Sequence, residues 1–271
     1  MGTGPHGSKD ICLQVLPSCS KMLPWLRHES MLLSFPPPER GYMPDPAEKT
    51  NGLIEQLSDL RHDRRKGNAL ALARVEKEIG AVKRVNPSGG LMLEGMLETI
   101  RMQKDKAVRA FECALNAGGM NATVLWNFGS SLLSFGLFEE AEKRFLQLAE
   151  YPDMHAIISP ELFRMGKYQI AGGFGSEQNQ DNDIPAASVR LGLTDQEVSR
   201  AVQIAGNMLV NRGHLISGAR ILVLDDRIVH YILVAADPET LATLDYDLAE
   251  SFLDHGVDIN RLVVSFMGFS S

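Results

Sequence analysis

Apolar side chains recur mostly every three or four residues between residues 53 and 85, which predicts amphipathic helices there. The residues that form this pattern are Leu53, Ile54, Leu57, Leu60, Leu70, Leu72, Val75, Ile79 and Val82. Residues 1–52 keep no helical or strand period and are punctuated by prolines and glycines, so we expect a disordered or extended tail. The break in composition also leaves open whether residues 1–42 belong to the native protein, since Met43 is a plausible start.

A stronger pattern follows, in which a small–small–aromatic set recurs at a fixed spacing of 34 residues. The recurring pairs are Gly95 and Gly129, Ala107 and Ala141, and Phe111 and Phe145. In a helical hairpin, a glycine on the first helix lets the second helix approach closely, an alanine keeps that approach tight, and a phenylalanine fills the gap one turn later. The period therefore predicts two stacked helical hairpins over residues 87–154, within a helical domain that spans residues 53–154.

The residues of the second unit resemble the tetratricopeptide repeat (TPR). Its matching positions are Leu125, Phe128-Gly129, Gly136, Glu140-Ala141, Phe145 and Pro152. The first unit matches less well, because Glu94 stands where an apolar residue is expected and Met102 stands where the turn glycine belongs. The resemblance implies paired helices that stack into an array. It also implies a protein that binds other proteins.

In such arrays the first helices line a concave groove, and the resemblance places nine residues of this chain there. They are Met92, Met96, Thr99, Ile100, Thr123, Trp126, Ser130, Leu133 and Ser134. The surface is largely apolar, with adaptable methionines and a tryptophan anchor, and it would suit an amphipathic helix or an extended apolar peptide. The alternative is that the flanking segments of the chain itself cover these side chains, because a short array must bury its ends.

The remainder of the chain changes in character. Residues 155–193 are expected to be a linker, in which Ser159 caps a short helix that begins at Pro160. Residues 194–271 predict a small domain with the order α-β-β-α-β and a sheet covered on at least one face, which makes the whole protein α+β. The signals behind this order are a capping box of Thr194 and Glu197, strands at 219–224 and 227–235, a helix start at Asp237-Pro238-Glu239, a stop at Gly256, and a strand at 261–266.

Candidate catalytic side chains in this domain are Asp225, Asp226, His230, Asp237, His214 and His255. Each also has a structural explanation as a turn residue, a helix cap, a residue of the last helical turn or a single strand position. We therefore assign no catalytic residue, no metal and no cofactor. An enzyme in this domain, with the repeats as a targeting arm, stays as the alternative to a binding scaffold.

Net charge, cysteine content and hydropathy limit the partners and the location that we expect for this protein. The net charge of −7 argues against nucleic acid, although the basic run Arg61, Arg64, Arg65 and Lys66 leaves an anion-binding patch as a third hypothesis beside a solvated helix end. Three cysteines without zinc-like spacing fit a reducing compartment, and no apolar stretch is long enough to span a membrane. We expect a soluble cytoplasmic adaptor that binds a protein or peptide and that could also self-associate.

Overall fold

A computed structural model describes residues 46–62, 69–174 and 183–268, together with the backbone of residues 11–15. The protein is α+β, as predicted. Its described residues divide into two compact units, and the boundary between Val124 and Leu125 falls inside one helix. We call residues 46–124 the helical unit, and residues 11–15 with 125–268 the mixed unit.

The helical unit contains four helices and the first turn of a fifth. They are α1 (Pro46–His62), α2 (Ala69–Val85), α3 (Pro87–Ile100), α4 (Lys104–Gly118) and the start of α5 (Ala122–Ser134). Helix α1 begins inside the segment predicted to be a tail. The predicted apolar positions Leu57 and Val75 are buried, but the prediction is wrong for Leu70, which is 62% exposed. The basic residues 64–66 lie outside the described residues.

Helices α3 and α4 form the first hairpin. Asn86 caps α3 by accepting a hydrogen bond from the Gly89 N–H at 3.0 Å. A Cβ placed on Gly95 would lie 2.7 Å from the ring of Phe111, so only glycine permits this approach of the two helices. Met102 forms the turn with a positive φ of 59°, in the position where the sequence pattern lacks its glycine.

Helices α5 and α6 (Phe138–Leu148) form the second hairpin, in the mixed unit. A Cβ on Gly129 would lie 2.8 Å from the Phe145 ring, which is the same contact as in the first hairpin, 34 residues later. The indole of Trp126 packs edge-on against Phe145, with ring centroids 5.5 Å apart. Gly136 makes the turn with φ of 69°.

The predicted linker is wrong, because residues 155–172 form a third hairpin. Its helices are α7 (His155–Arg164), preceded by a 3-10 turn at Pro152–Met154, and α8 (Tyr168–Gly172). Ser159 and Pro160 lie inside α7 and do not begin it. The Ser159 hydroxyl is used between the two helices instead, since it donates to the Ala171 carbonyl of α8 at 2.9 Å.

The same backbone bond closes all three hairpins. The N–H groups of Gln103, Leu137 and Lys167 each donate to the carbonyl five residues earlier, at 2.9, 3.0 and 3.0 Å. This bond belongs to the helix-ending motif in which the preceding residue is left-handed. Two of the three turn residues are glycines, Gly136 and Gly166, for which that conformation carries no steric cost.

Helices α9 (Asp183–Arg190) and α10 (Asp195–Asn211) follow. The predicted capping box is confirmed, with Thr194 and Glu197 each bonding the other's backbone N–H. Helix α10 packs against the turns of the second and third hairpins. Its Gly206 backbone would lie 3.3 Å from a Cβ on Gly136, and its Val198 side chain 2.8 Å from a Cβ on Gly166.

Among the described residues, four strands form one sheet in the order β1-β2-β3-β4. They are β1 (Ile11–Val15), β2 (Gly218–Val223), β3 (Ile228–Val234) and β4 (Leu262–Gly268). The predicted hairpin is confirmed as the antiparallel pair β2–β3, and β4 returns parallel to β3 after helix α11 (Pro238–His255). Asp237 caps α11 and Gly256 ends it, as predicted. The prediction did not include β1, which adds to the edge of β2.

Candidate functional site

Most of the predicted groove is covered. Seven of the nine residues are buried, and they are Met92, Met96, Thr99, Trp126, Ser130, Leu133 and Ser134. Ile100 and Thr123 are half-buried. Five of the nine belong to the helical unit, and the four from Trp126 onward belong to the mixed unit. The side chains predicted to meet a partner are therefore largely packed within the chain.

In the mixed unit, the cause is the segment that leads into β2. The Ser134 hydroxyl donates to the Ser130 carbonyl at 3.1 Å and lies 3.3 Å from the Ile216 carbonyl, and the Ile216 N–H donates to the Ser134 carbonyl at 3.2 Å. These hydrogen bonds hold residue 216 against the end of α5. At this end of α5, the chain's own flanking segment therefore covers the predicted groove.

The predicted catalytic candidates are dispersed, and several have structural partners. Asp226 pairs with Arg227 at 2.6 Å, and hydrogen bonding to that guanidinium lowers the pKa of the exposed carboxyl. Asp237 accepts the Thr240 N–H at 2.8 Å, which lowers its pKa for the same kind of reason. The Nδ1 of His255 donates to the Ser251 carbonyl at 2.7 Å. Asp225 lies beside Asp226 in the turn.

Two of the candidate histidines differ in setting. His214 is half-buried in the turn after α10, where its N–H donates to the Leu209 carbonyl at 2.9 Å. His230 is fully buried on the inner strand β3, between Ile221 on β2 and Val264 on β4. Over the part of the chain that the structure describes, no group of three or more His, Cys, Asp or Glu side chains could hold a metal ion.

His230 belongs to a buried polar cluster, which consists of Glu161, Arg164, Tyr168 and His230. All four residues are at most 2% exposed. The Tyr168 hydroxyl and His230 Nδ1 are hydrogen-bonded at 2.7 Å, and their rings are stacked with centroids 6.1 Å apart. Arg164 pairs with Glu161 at 2.6 Å within α7. The third hairpin thus brings an ion pair and a phenol to the sheet.

The electrostatics of the cluster follow from its burial. Desolvation, reinforced by the positive charge of Arg164, lowers the pKa of His230 to about 3, so its ring is neutral. Desolvation also raises the pKa of Tyr168. Arg164 Nε and Nη2 and His230 Nε2 are buried polar atoms with no hydrogen-bond partner among the described residues.

A signal for this cluster is present in the sequence but was missed. The pattern Gly136-Leu137-Phe138-Glu139-Glu140-Ala141 recurs 30 residues later as Gly166-Lys167-Tyr168-Gln169-Ile170-Ala171. Its glycine, aromatic and alanine positions mark a third hairpin. A search for a period of 34 alone could not find it, because the third turn glycine, Gly166, follows Gly136 by only 30 residues.

Comparison with known proteins adds no further constraint on the site. The chain matches no protein family, no curated protein and no solved structure. None of the described helices is both long and apolar enough to cross a membrane.

Proposed function

We propose that this chain is a protein-interaction scaffold built on helical hairpins of the tetratricopeptide type. The observation that carries the proposal is the repeated contact of a helix glycine with an aromatic ring, at Gly95 with Phe111 and at Gly129 with Phe145. Both contacts lie within their own hairpin, and the hairpins share the same turn bond. Repeats that keep such a contact are a framework for binding surfaces.

The third hairpin supports the same interpretation. Gly166 and Ala171 stand at the turn and close-approach positions that Gly136 and Ala141 occupy in the second hairpin. Ser159 replaces the glycine of the first helix and bonds to Ala171, so the approach is kept by a hydrogen bond rather than by the absence of a side chain. The units therefore vary in sequence while they keep one geometry.

Burial limits where a partner could bind in the predicted groove. Ile100 at the end of α3 and Thr123 at the start of α5 are the two predicted positions that keep solvent exposure, and both belong to the helical unit. We propose that a partner peptide or helix contacts these two residues, and that the buried positions of the same unit, Met92, Met96 and Thr99, support the surface from below. Ile100 supplies the apolar contact and Thr123 a hydroxyl at the rim.

The test is capture of a stoichiometric partner from the native host by the full-length chain, followed by quantitative mass spectrometry. The variant Ile100→Ser/Thr123→Lys should reduce recovery of that partner by about tenfold or more, as for loss of an interface centre. Leu70→Ser is the matched control, because Leu70 is an exposed leucine of the same unit outside the groove. Equal recovery with both variants, or no stoichiometric partner with the unmodified chain, would contradict the proposal.

The enzymatic alternative has weaker support. Asp226 and Asp237 are held by a turn and a helix cap, and His230 is enclosed with a pKa too low for a proton acceptor at neutral pH. A site for chemistry needs its reacting groups within reach of a substrate. The described candidates do not meet that requirement together.

A further inference from the structure

The outer face of α11 carries an apolar stripe that the fold does not bury. Its members are Ala242, Tyr246, Ala249 and Leu253, all exposed. Tyr246 is 67% exposed and Leu253 is 79% exposed, the latter being the largest value among the large apolar side chains of the described residues. Steps of four, three and four residues keep these positions on one face of the helix, over a length of about 16 Å.

The opposite face of α11 already supplies the core contacts. Leu244, Leu248 and Phe252 are buried there. Half-buried Asp245 covers the edge of the sheet, because it accepts the Phe266 N–H of β4 at 2.9 Å and the Ser265 hydroxyl at 3.0 Å. Helix α11 therefore has no structural need for a second apolar face. An exposed apolar stripe of this kind marks a contact surface for another molecule.

An acidic stripe runs beside the apolar one. At about 100° per residue, Glu239, Glu250 and Asp254 project along the side of the apolar stripe nearest Tyr246. All three are exposed, and none forms an ion pair with another described residue. Asp247, at the far border of this acidic stripe, is paired with Arg212 of α10. The surface thus presents uncompensated negative charge along one flank of its apolar contact.

The apolar stripe and the acidic stripe together indicate which kind of partner this surface can bind. Two copies of α11 packed antiparallel about a two-fold axis would put apolar on apolar but also acidic on acidic. Parallel packing would put each acidic stripe against the other flank of the second copy, where Asp245 lies, so its negative charge would stay uncompensated. Charge therefore opposes a second copy of this chain. An anionic membrane surface is opposed for the same reason. A helix with an apolar stripe flanked by lysine or arginine satisfies both stripes at once.

We propose that the outer face of α11 binds a basic amphipathic helix of a partner protein. The alanines at 242 and 249 allow the partner helix to approach to about 8–10 Å between axes. Tyr246 and Leu253 then insert between its side chains, and its basic flank meets Glu239, Glu250 and Asp254. This surface lies in the mixed unit and does not use Ile100 or Thr123, so it goes beyond the proposed groove.

The test uses three fluorescently labelled peptides of about 18 residues, long enough for five helical turns. The first carries leucine at helical spacing with lysine on one flank, the second has glutamate in place of each lysine, and the third has the composition of the first in an order without a stripe. Binding to the full-length chain is measured by fluorescence anisotropy at several salt concentrations. The first peptide should bind, and its affinity should fall with salt.

Matched variants distinguish binding at this surface from non-specific attraction of the basic peptide to an acidic protein. Tyr246→Ser/Leu253→Ser should weaken binding of the first peptide by about tenfold or more. Glu239→Gln/Glu250→Gln should weaken it several-fold and flatten its salt dependence. The control Glu139→Gln/Glu140→Gln makes the same charge change at exposed positions of α6 and should bind like the unmodified chain, with all variants keeping their circular dichroism. Equal binding by all variants, or equal binding of the third peptide, would overturn the proposal.

A second experiment identifies the natural occupant. A photo-crosslinking amino acid at position 246 of the full chain, expressed in the native host, should link to a segment with lysine or arginine beside an apolar stripe. A crosslink to a second copy, to residues 16–45 of the same chain or to an acidic segment would refute the proposal. The exposed position 146 of α6 is the control, and a crosslinking yield at position 246 no higher than at position 146 would also refute it. Ile100→Ser/Thr123→Lys should leave peptide binding unchanged, so failure of the groove and failure of this surface are distinguishable.

Discussion

In the interior of the mixed unit, single charged residues have a large effect on the stability of the protein. Arg164 and Glu161 are both buried and rely on each other for charge compensation. A buried charge is expensive to remove from water, and the partner's charge offsets that cost only while both are present. The pair therefore makes this part of α7 sensitive to a single substitution.

We expect Arg164→Met to destabilise the protein by about 3–5 kcal/mol, because it leaves the Glu161 carboxylate buried without a cation. The double variant Arg164→Met/Glu161→Leu should recover most of that loss, since it removes both charges and keeps the volume. Urea unfolding followed by circular dichroism measures both. A double variant as unstable as the single one would show that the guanidinium acts through contacts other than this pair.

The neutral state of His230 predicts how stability depends on pH. Its folded pKa is about 3, below the ordinary value of 6.5, because burial and the nearby Arg164 disfavour the imidazolium. The unfolded chain binds a proton on this side chain at higher pH than the folded chain does. The stabilisation is therefore complete above about pH 6.5 and is lost progressively as the pH falls toward about 3.

Between pH 7 and pH 5 this residue should account for a loss of about 2 kcal/mol in the free energy of unfolding. His230→Leu should reduce the pH dependence over that interval by this amount, although the variant also loses the bond to Tyr168. Urea titrations at both pH values, with His255→Leu as the exposed control, make the comparison. The same slope in His230→Leu and in the unmodified chain would mean that the pKa of His230 is the same in the folded and the unfolded chain.

At the scale of elements, close packing requires glycine at some helix positions of the helical unit and not at others. Gly95 faces the Phe111 ring across the first hairpin, whereas Gly80 in α2 has no side chain or foreign backbone within 4 Å of its would-be Cβ. Both are non-terminal residues of helices in the same unit. They form a matched pair in which only the packing differs.

We expect Gly95→Ala to destabilise the helical unit by about 1–3 kcal/mol through overpacking against the ring. Gly80→Ala should instead stabilise it by up to about 1 kcal/mol, because alanine favours a helix more than glycine does. Adding Phe111→Leu to Gly95→Ala should relieve part of the loss, which thermal unfolding would show as a partly restored Tm. A stabilising Gly95→Ala would contradict the close packing on which the repeat rests.

The turns show how one geometry accommodates different residues. Met102, Gly136 and Gly166 all have positive φ, and the following residue closes each turn with the same bond. A non-glycine residue is uncommon in this conformation and is strained by its Cβ. The first hairpin thus keeps the same turn with a residue that the sequence pattern marked as a departure.

At the scale of the whole molecule, the sheet joins distant parts of the chain. Strand β1 pairs antiparallel with β2 in the register Ile11 to Val223 and Val15 to Ala219. Without it, β2 would be an edge strand with one row of unpaired backbone groups. The mixed unit is therefore completed by a segment from the other end of the sequence.

A chain that begins at Met43 should show faster amide hydrogen exchange in β2 and a greater tendency to aggregate, because it lacks β1. Exchange in α2 and α3 of the helical unit should be unchanged. Exchange in β2 is measured by hydrogen exchange with mass spectrometry on peptides that cover residues 218–223, and aggregation is measured by light scattering. Identical exchange in β2 with and without residues 1–42 would show that β1 does not protect it.

The sequence by itself determined the elements whose causes are local. Thr194 with Glu197, and Asp237 with Pro238, predicted where α10 and α11 begin, because a cap bonds to backbone within its own first turn. The strands β2 and β3 followed from their apolar runs on both sides of Asp225-Asp226. The contacts of Gly95 and Gly129 with their phenylalanines followed from a period that both hairpins share.

Tertiary structure decided what depends on contacts between distant segments. Only packing placed residue 216 against Ser134 and covered part of the predicted groove, brought Tyr168 to His230, and added β1 to the sheet. Ser159-Pro160 has the pattern of a helix start, yet the packing of α7 on α8 extends the helix past it. Local patterns specify a residue's backbone partners, whereas its burial depends on which other elements are adjacent in the folded chain.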